Sequence, residues 1–411
     1  MPSLQSLSPI AALSIRAYTA TTALGRGRAA QAEALRARRG GLRENDFPHT
    51  GEGARLRTWI GRVDGLEDAP LPDPWARWDC RNNRLAWLAF QQDGFPEAVS
   101  EVRDRLGPTR VALVLGTSTA SIGATEEAYA RLEEGADGEP AFPADLDRPI
   151  VHTPHSLGDF MQAATGLRGP CVTVATACSS SAKVFAQAAR LISSGIVDAA
   201  VVGGVDTLCG SVLYGFNSLG LVSVRPCRPF DSERDGLSLG EAGGFALLER
   251  PGPGEGGLQL RGYGESSDAH HMSAPHPEGL GARLAMSDAL ARAGVEARDV
   301  GYLNLHGTAT PANDGVEAGA VAALFPDSLH ASSTKGWTGH TLGAAGIVES
   351  VFALIALEDG LLPGVLNSTA PDAACGPQIR FDNARSEGLR YAMNNSFGFG
   401  GNNSSLLFGR A

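Results

Sequence analysis

The chain has 411 residues, 43% of them hydrophobic and 19% charged, with a net charge of −11. That acidic balance argues against a nucleic-acid-binding protein, which carries a basic excess. The longest apolar run, Val351–Leu357 between Glu349 and Glu358, falls far short of the ~20 residues a membrane helix needs. Six cysteines without paired CxxC spacing, and an N-terminal region whose one apolar candidate is interrupted by Arg16, point to free thiols in the cytoplasm.

In chain order, Arg110–Leu115 reads as a strand, Ser156–Thr165 as a helix and Val172–Ala175 as a strand. Ser179–Ser193 reads as a helix with Ala182, Phe185, Ala186 and Ala189 on one face. Strands Ala199–Val205 and Phe245–Glu249 follow. The Pro- and Gly-rich stretch Pro251–Gly257 is the clearest seam. Beyond it the alternation restarts with strand Leu258–Gly262, helix Gly281–Ala293 and strand Gly301–Leu305. Helices Val316–Leu324 and Ala345–Leu357 come next, then two strand-like runs around Asn394–Asn403. This βαβ alternation predicts an α/β protein with buried, largely parallel sheets. Its two halves, 1–255 and 256–411, look alike.

Three segments carry residues suited to chemistry. Thr176-Ala-Cys178-Ser-Ser-Ser181 puts a cysteine where a strand turns into a helix, a position that favours a thiolate through the helix N-terminus. The same position also suits a buried structural thiol. His306 stands at a strand end before a glycine turn. Lys335 and His340 share the glycine-rich loop Ser333–Gly346, with Glu349 in the first turns of the helix that follows. The remaining histidines lack such flanks. Phe399, between Gly398 and Gly400, could offer a backbone N–H to an oxyanion and an aromatic door, or simply form a turn; Phe397 reads as packing.

Together the stretches TACSSSA, GGVD, RPFDSERDGLSLGEAGG, HGTATPANDGVE, STKGWTGHTLGAAG and NNSFGFGG resemble the β-ketoacyl-(acyl carrier protein) synthases of the thiolase-fold superfamily. The resemblance runs from about residue 100 to the end. It implies a thiolase-like fold of α-β-α-β-α layers and a decarboxylative condensation that lengthens an acyl chain by two carbons. By motif, Cys178 would take up the acyl group, and His306 and His340 would stabilise the enolate left when a malonyl group loses CO₂. Lys335 would act electrostatically on His306 or Cys178, with Glu349 as its neighbour. Thr308 and Thr310 would bind the pantetheine arm, and the N–H groups of Cys178 and Phe399 would form the oxyanion hole, Phe399 also serving as the gate. The resemblance implies no metal and no cofactor beyond the phosphopantetheine of an acyl carrier protein. It implies a homodimer, or a heterodimer with a related subunit, paired through an edge strand such as Ala199–Val205 or a neighbour.

Two rival readings are a thiolase, which needs a second reactive cysteine where Phe399 stands, and a non-catalytic chain-length-factor-like subunit, which usually loses the cysteine. Lys183, where histidine is common, and Asn402, where threonine is frequent, depart from the family and suggest a specialised pathway of the aryl-polyene or polyketide type. Separately, Arg77, Arg81 and Arg84 follow an i, i+4, i+7 spacing. On a helix they would form a basic face able to dock an acidic carrier protein.

Overall fold

The computed structural model describes residues 9–48, 55–143 and 150–411. Its main sheet is built from β1 (Leu13–Thr22), β2 (Val111–Gly116), β3 (Cys171–Val174), β4 (Ala199–Asp206) and β5 (Ala242–Glu249), then β6 (Leu258–Ser267), β7 (Tyr302–Asn304), β8 (His330–Ser332), β9 (Tyr391–Gly398) and β10 (Asn402–Arg410). They lie in the order β8-β7-β9-β10-β6-β1-β5-β4-β2-β3. Each half therefore has the same internal order: β3-β2-β4-β5-β1 repeats as β8-β7-β9-β10-β6. The halves meet at the pairs Leu13↔Leu260 and Ser14↔Gln259.

The expectation of largely parallel sheets is corrected. Within the main sheet, parallel pairing is confined to β3-β2-β4 and β8-β7-β9. The pairs from β4 through β5, β1, β6 and β10 to β9 run antiparallel. β9 and β10 are joined by the three-residue turn Phe399–Gly401, too short for the crossover a parallel pair requires. The sequence misled because β4 and β5 are buried along their whole length. Their unbroken apolar runs report burial on both faces, which does not fix strand direction.

Helices fill three layers around the strands. On the outside of the first half, α1 (Arg81–Phe90) and α2 (Ser156–Thr165) contribute Leu85, Phe90 and Phe160 to a core shared with Val201 and Phe245. The middle layer holds α3 (Ser180–Ser193) and, from the second half, a helix described below. α4 (Gly210–Ser218) follows β4. α5 (Leu280–Ala293) and α6 (Pro311–Leu324) cover the outer face of the second half with Met286 and Val321 against Leu303 and Leu407. α7 (Ala345–Asp359) is the second middle-layer helix, buried from Ala345 through Leu357. A helix apolar on all sides is one that the fold encloses. α3 and α7 share one core through Ala182, Phe185, Ile347 and Val351. They touch at Gly346, where a Cβ would lie 2.3 Å from the Ala182 backbone nitrogen; only glycine allows that approach. The result is the helix–sheet–helix–sheet–helix layering expected. Among the described residues no helix is long and apolar enough to cross a membrane.

The arginine stripe is not there. Arg77 lies in a separate 3-10 turn, Ala76–Trp78, before α1 begins at Arg81, and its guanidinium sits 3.9 Å over the Trp78 ring. Arg81 grips Glu241 with two bonds of 2.9 and 2.6 Å and also reaches Glu67. Arg84 pairs with Asp79 at 2.7 and 2.5 Å. The spacing was right for a helix face, but the turn breaks the helix and internal carboxylates consume two of the charges. Because the Glu241 side chain is fully buried, Arg81→Ala is expected to cost about 3–5 kcal/mol by leaving that charge unpaired. Chemical denaturation measures it, and a loss below 1 kcal/mol contradicts the anchoring role. The edge-strand expectation is likewise corrected: β4 lies between β5 and β2, and the edge on that side is β3, which lies one strand further out beyond β2 and whose residues are all partly exposed.

Candidate active site

β3 ends at Val174 and α3 starts at Ser180. Between them Ala177 adopts φ +52, a conformation costly for any residue with a Cβ and held by its surroundings. The restraints are local. Thr176 N–H donates to Ser180 Oγ at 2.9 Å, and that hydroxyl donates to the Ala177 carbonyl at 2.6 Å. This sharp turn lifts Cys178 out of the strand at the junction of the two halves, where it is 6% exposed.

His340 comes from the other half and places Nε2 3.0 Å from the Cys178 sulfur. The Leu342 N–H donates to its Nδ1 at 3.3 Å, so the ring proton is on Nε2 and faces the sulfur. His306 follows β7. Its own N–H and that of Gly307 donate to the Glu317 carboxylate at 2.8 and 2.7 Å, which pins the loop. The Lys335 ammonium lies 3.4 Å from His306 Nδ1 and 2.5 Å from Glu349 Oε1. With an ammonium donating to Nδ1, His306 also carries its proton on Nε2. The two imidazoles stand 5.4 Å apart and nearly perpendicular, at 87°. The ligand atoms of Cys178, His306 and His340 all lie within 4.8 Å of one another, and this is the one such group among the described residues close enough to hold a metal ion. One small carbonyl or carboxylate can equally touch all three.

Burial, reinforced by the Lys335 charge, holds both histidines well below their ordinary range. They are neutral donors. Burial also pushes the Glu349 carboxyl up to about 7, against the pull of Lys335. For Cys178 the expected thiolate is corrected. Burial raises the thiol to about 11, outweighing the Lys335 charge and the Phe399 N–H, both of which favour the anion. The helix start alone does not overcome removal from water. The donors around the sulfur therefore act on charge that develops during attack, not on a standing charge.

A cavity of about 250 Å³ opens onto Cys178, His306 and His340. Thr308 and Thr310 line it, with hydroxyls 2.9 Å apart. Phe399 stacks on Phe216 at 5.6 Å and 21°, and the turn that carries it is tied to the segment 268–272. Gly400 N–H donates to Met272 O at 2.7 Å and Asp268 N–H to Gly401 O at 2.9 Å. The two departures from the family meet here: Lys183 Nζ donates to Asn402 Oδ1 at 3.3 Å.

The structure thus brings Cys178, His306, His340, Lys335, Glu349, Thr308, Thr310 and Phe399 to one place and leaves the three arginines elsewhere. Sequence reasoning missed Phe216, the 268–272 segment and Glu317, although Glu317 lies inside the stretch HGTATPANDGVE. Phe397, read as packing, lines the cavity with its ring 6.0 Å from that of His306.

A repeated five-layer fold with one cysteine and two histidines converging from opposite halves defines a thiol-centred class of the β-ketoacyl synthase type. Residues 80–252 match the description "Beta-ketoacyl synthase, N-terminal domain" and residues 258–369 "Beta-ketoacyl synthase, C-terminal domain". The chain belongs to the β-ketoacyl synthase family. It is 41% identical over 260 residues to a 3-oxoacyl-[acyl-carrier-protein] synthase 2 of Rhizobium meliloti, a match covering 59% of this chain and 62% of that one. Among solved structures it resembles a ketosynthase in complex with its chain length factor from Xenorhabdus doucetiae. There the identity is 35% and the TM-score 0.87, over 97% of this chain and 98% of that one. The ishigamide ketosynthase/chain length factor gives the same TM-score at 26% identity, over 97% of this chain and 99% of that one.

Proposed function

We propose that this protein is a β-ketoacyl-(acyl carrier protein) synthase that extends a Cys178-bound acyl chain by two carbons. The observation that carries the reading is the Nε2–H pair of His306 and His340 facing one cavity at the Cys178 thiol. In the first half-reaction Cys178 attacks the carrier-bound thioester. The acyl group moves to the sulfur, and the thiol proton leaves with the carrier's pantetheine thiol. In the second, a malonyl thioester loses CO₂, and the two imidazole N–H groups stabilise the enolate oxygen. The enolate carbon attacks the Cys178 thioester, whose oxygen the Cys178 and Phe399 N–H groups receive. The β-ketoacyl product leaves on the carrier, and the Cys178 thiolate takes up a proton. Lys335, held by Glu349, keeps His306 in the donor tautomer. Thr308 and Thr310 receive the pantetheine arm, and no further cofactor enters.

The phenylalanine in the loop where a thiolase carries its second cysteine, together with the retained Cys-His-His set, favours this reading over a thiolase or a non-catalytic subunit. Two departures that touch, Lys183 and Asn402, support a specialised aryl-polyene or polyketide pathway over primary fatty acid synthesis. The open edge of β3 supports pairing with a second copy or a related subunit, and light scattering should give about twice 42.6 kDa for a homodimer. The deciding experiment offers the purified protein malonyl-carrier with a panel of acyl-carriers and reads products by mass. Two-carbon extension supports the reading; acyl exchange with coenzyme A alone, without CO₂ release, refutes it.

The Phe399 stack on Phe216 supports a gate. Phe399→Ala is expected to speed and broaden acylation of Cys178 while slowing condensation about tenfold or more, because the N–H aimed at the sulfur loses its anchor. Single-turnover acylation compared with condensation checks this. Both rates unchanged per folded molecule would make Phe399 a packing residue.

A further inference from the structure

Asp206 ends β4 in the stretch GGVD and is fully buried, yet no basic side chain is among its hydrogen-bond partners. Its carboxylate accepts from three consecutive residues after β2. Thr117 Oγ1 donates to it at 2.6 Å, Ser118 N–H at 2.9 and 3.0 Å, Ser118 Oγ at 2.5 Å, and Thr119 through N–H and hydroxyl at 2.9 and 2.8 Å. The remaining donor comes from the other half of the molecule: Gly343 N–H at 2.6 Å. Gly343 has no room for a side chain, since a Cβ would sit 2.7 Å from Asp206 Oδ2 and 2.8 Å from Ser118 N. Immediately before it, Leu342 is held at φ +56, a conformation that persists only where its surroundings enforce it. In that strained turn the Leu342 N–H points at His340 Nδ1.

We propose that Asp206 is a positioning residue that fixes the tautomer of His340. By gripping Gly343 it holds the strained turn, the turn delivers the Leu342 N–H to Nδ1, and the ring proton is thereby kept on Nε2, facing Cys178. Asp206 touches no substrate in this scheme; it acts through the neighbouring backbone. Seven bonds to one carboxylate, six from the first half and one from the second, also register the cysteine half against the histidine half at this point. The role deepens the condensing-enzyme reading and rests on it for its kinetic consequence, though not for the tautomer itself.

Asp206→Asn tests it with almost no change in volume. Every backbone partner is an N–H, which cannot reverse its direction as a hydroxyl can, so the new amide NH₂ must confront either Gly343 or Ser118 and Thr119. In the full-length protein labelled with ¹⁵N-histidine, the wild type should show His340 with an unprotonated Nδ1 and a protonated Nε2. The variant should show the opposite tautomer as a second population. In a Cys178→Gln background, malonyl decarboxylation should fall at least about tenfold, whereas Asp206→Asn alone should acylate Cys178 within about threefold of wild type, since an imidazole donor is lost only where the enolate forms. Unchanged His340 resonances in folded Asp206→Asn overturn the proposal, as does an equal fall in acylation and decarboxylation, which marks a merely structural role. If Asp206→Asn fails to fold, Ser118→Ala removes the hydroxyl that donates to Asp206 and accepts from Gly343. It must then move the tautomer in the same direction, and wild-type resonances there overturn the proposal. If the wild type itself decarboxylates no malonyl thioester, the functional reading fails while the resonances still decide the role of Asp206.

Discussion

Cys178→Ser is expected to lower condensation by about 10³-fold or more, the largest effect of any single substitution. A hydroxyl is far less acidic than even this thiol, which burial raises to about 11, and the oxygen left in its place cannot accept the acyl group at a useful rate. The raised thiol pKa carries its own signature. Alkylation of the free enzyme by iodoacetamide should climb about tenfold per pH unit from neutrality toward pH 10 without a plateau. The thiolate fraction is still rising through that whole range, because the sulfur titrates only near 11. A plateau near pH 7 would mean that the helix terminus dominates after all. Cys178→Gln gives the complementary result. Its side-chain carbonyl stands in for the thioester, so malonyl decarboxylation should continue with no acyl acceptor, measurable as CO₂ release. Cys178→Ser extending chains at the wild-type rate would remove Cys178 from the mechanism.

The second large effect is on the histidines. His306→Ala and His340→Ala should each reduce decarboxylation by about 10²–10³-fold, the range for deleting one donor to a developing oxyanion. Acylation of Cys178 should survive in both, detected as the mass of the acyl-enzyme. The pH dependence follows from their burial. Both imidazoles titrate well below 6.5, so each is neutral above that and becomes charged only as pH falls far below it. Decarboxylation should therefore show no histidine limb between about pH 6 and 8. Because the Glu349 carboxyl is pushed up to about 7, only a limb near 6.5 that persists in Glu349→Gln would mean that one imidazole is in water and not between Lys335 and Cys178.

Most of this site was legible because its residues lie in short glycine-bounded stretches at strand ends, where α/β proteins gather their chemistry. Cys178, His306, Lys335 and His340 each announced themselves by local context. Asp206 did not, although GGVD was visible as a motif. Its importance lies in donors from 117–119 and 343, and no local pattern ties those segments together. The helix Ser156–Thr165 was placed to the residue by its 3.6-residue rhythm. The direction of β4 and β5 was not, because burial on both faces erases the alternation that marks an antiparallel strand. The arginine spacing failed for a related reason. Periodicity assigns a face only while the helix continues, and the turn between Arg77 and Arg81 ends that assumption. The thiol pKa was misjudged because sequence shows the helix terminus but not how deeply the sulfur is covered.

The position of β1 has a consequence for synthesis. This strand lies between β5 and β6; apart from the short return in which Thr21 and Thr22 pair with Arg26 and Gly25, the first partner for its length begins at Ala242 and emerges from the ribosome roughly 220 residues after Thr22. At about 5–20 residues per second, the nascent strand waits roughly 10–40 s with most of its ladder groups unpaired. The cysteine is translated within that interval, ahead of both histidines, the lysine and the turn bearing Phe399. A stalled ribosome thus displays a thiol with none of the groups that shape its reactivity. Soluble yield should accordingly track the supply of nascent-chain chaperones, even for variants whose finished fold is as stable as the parent.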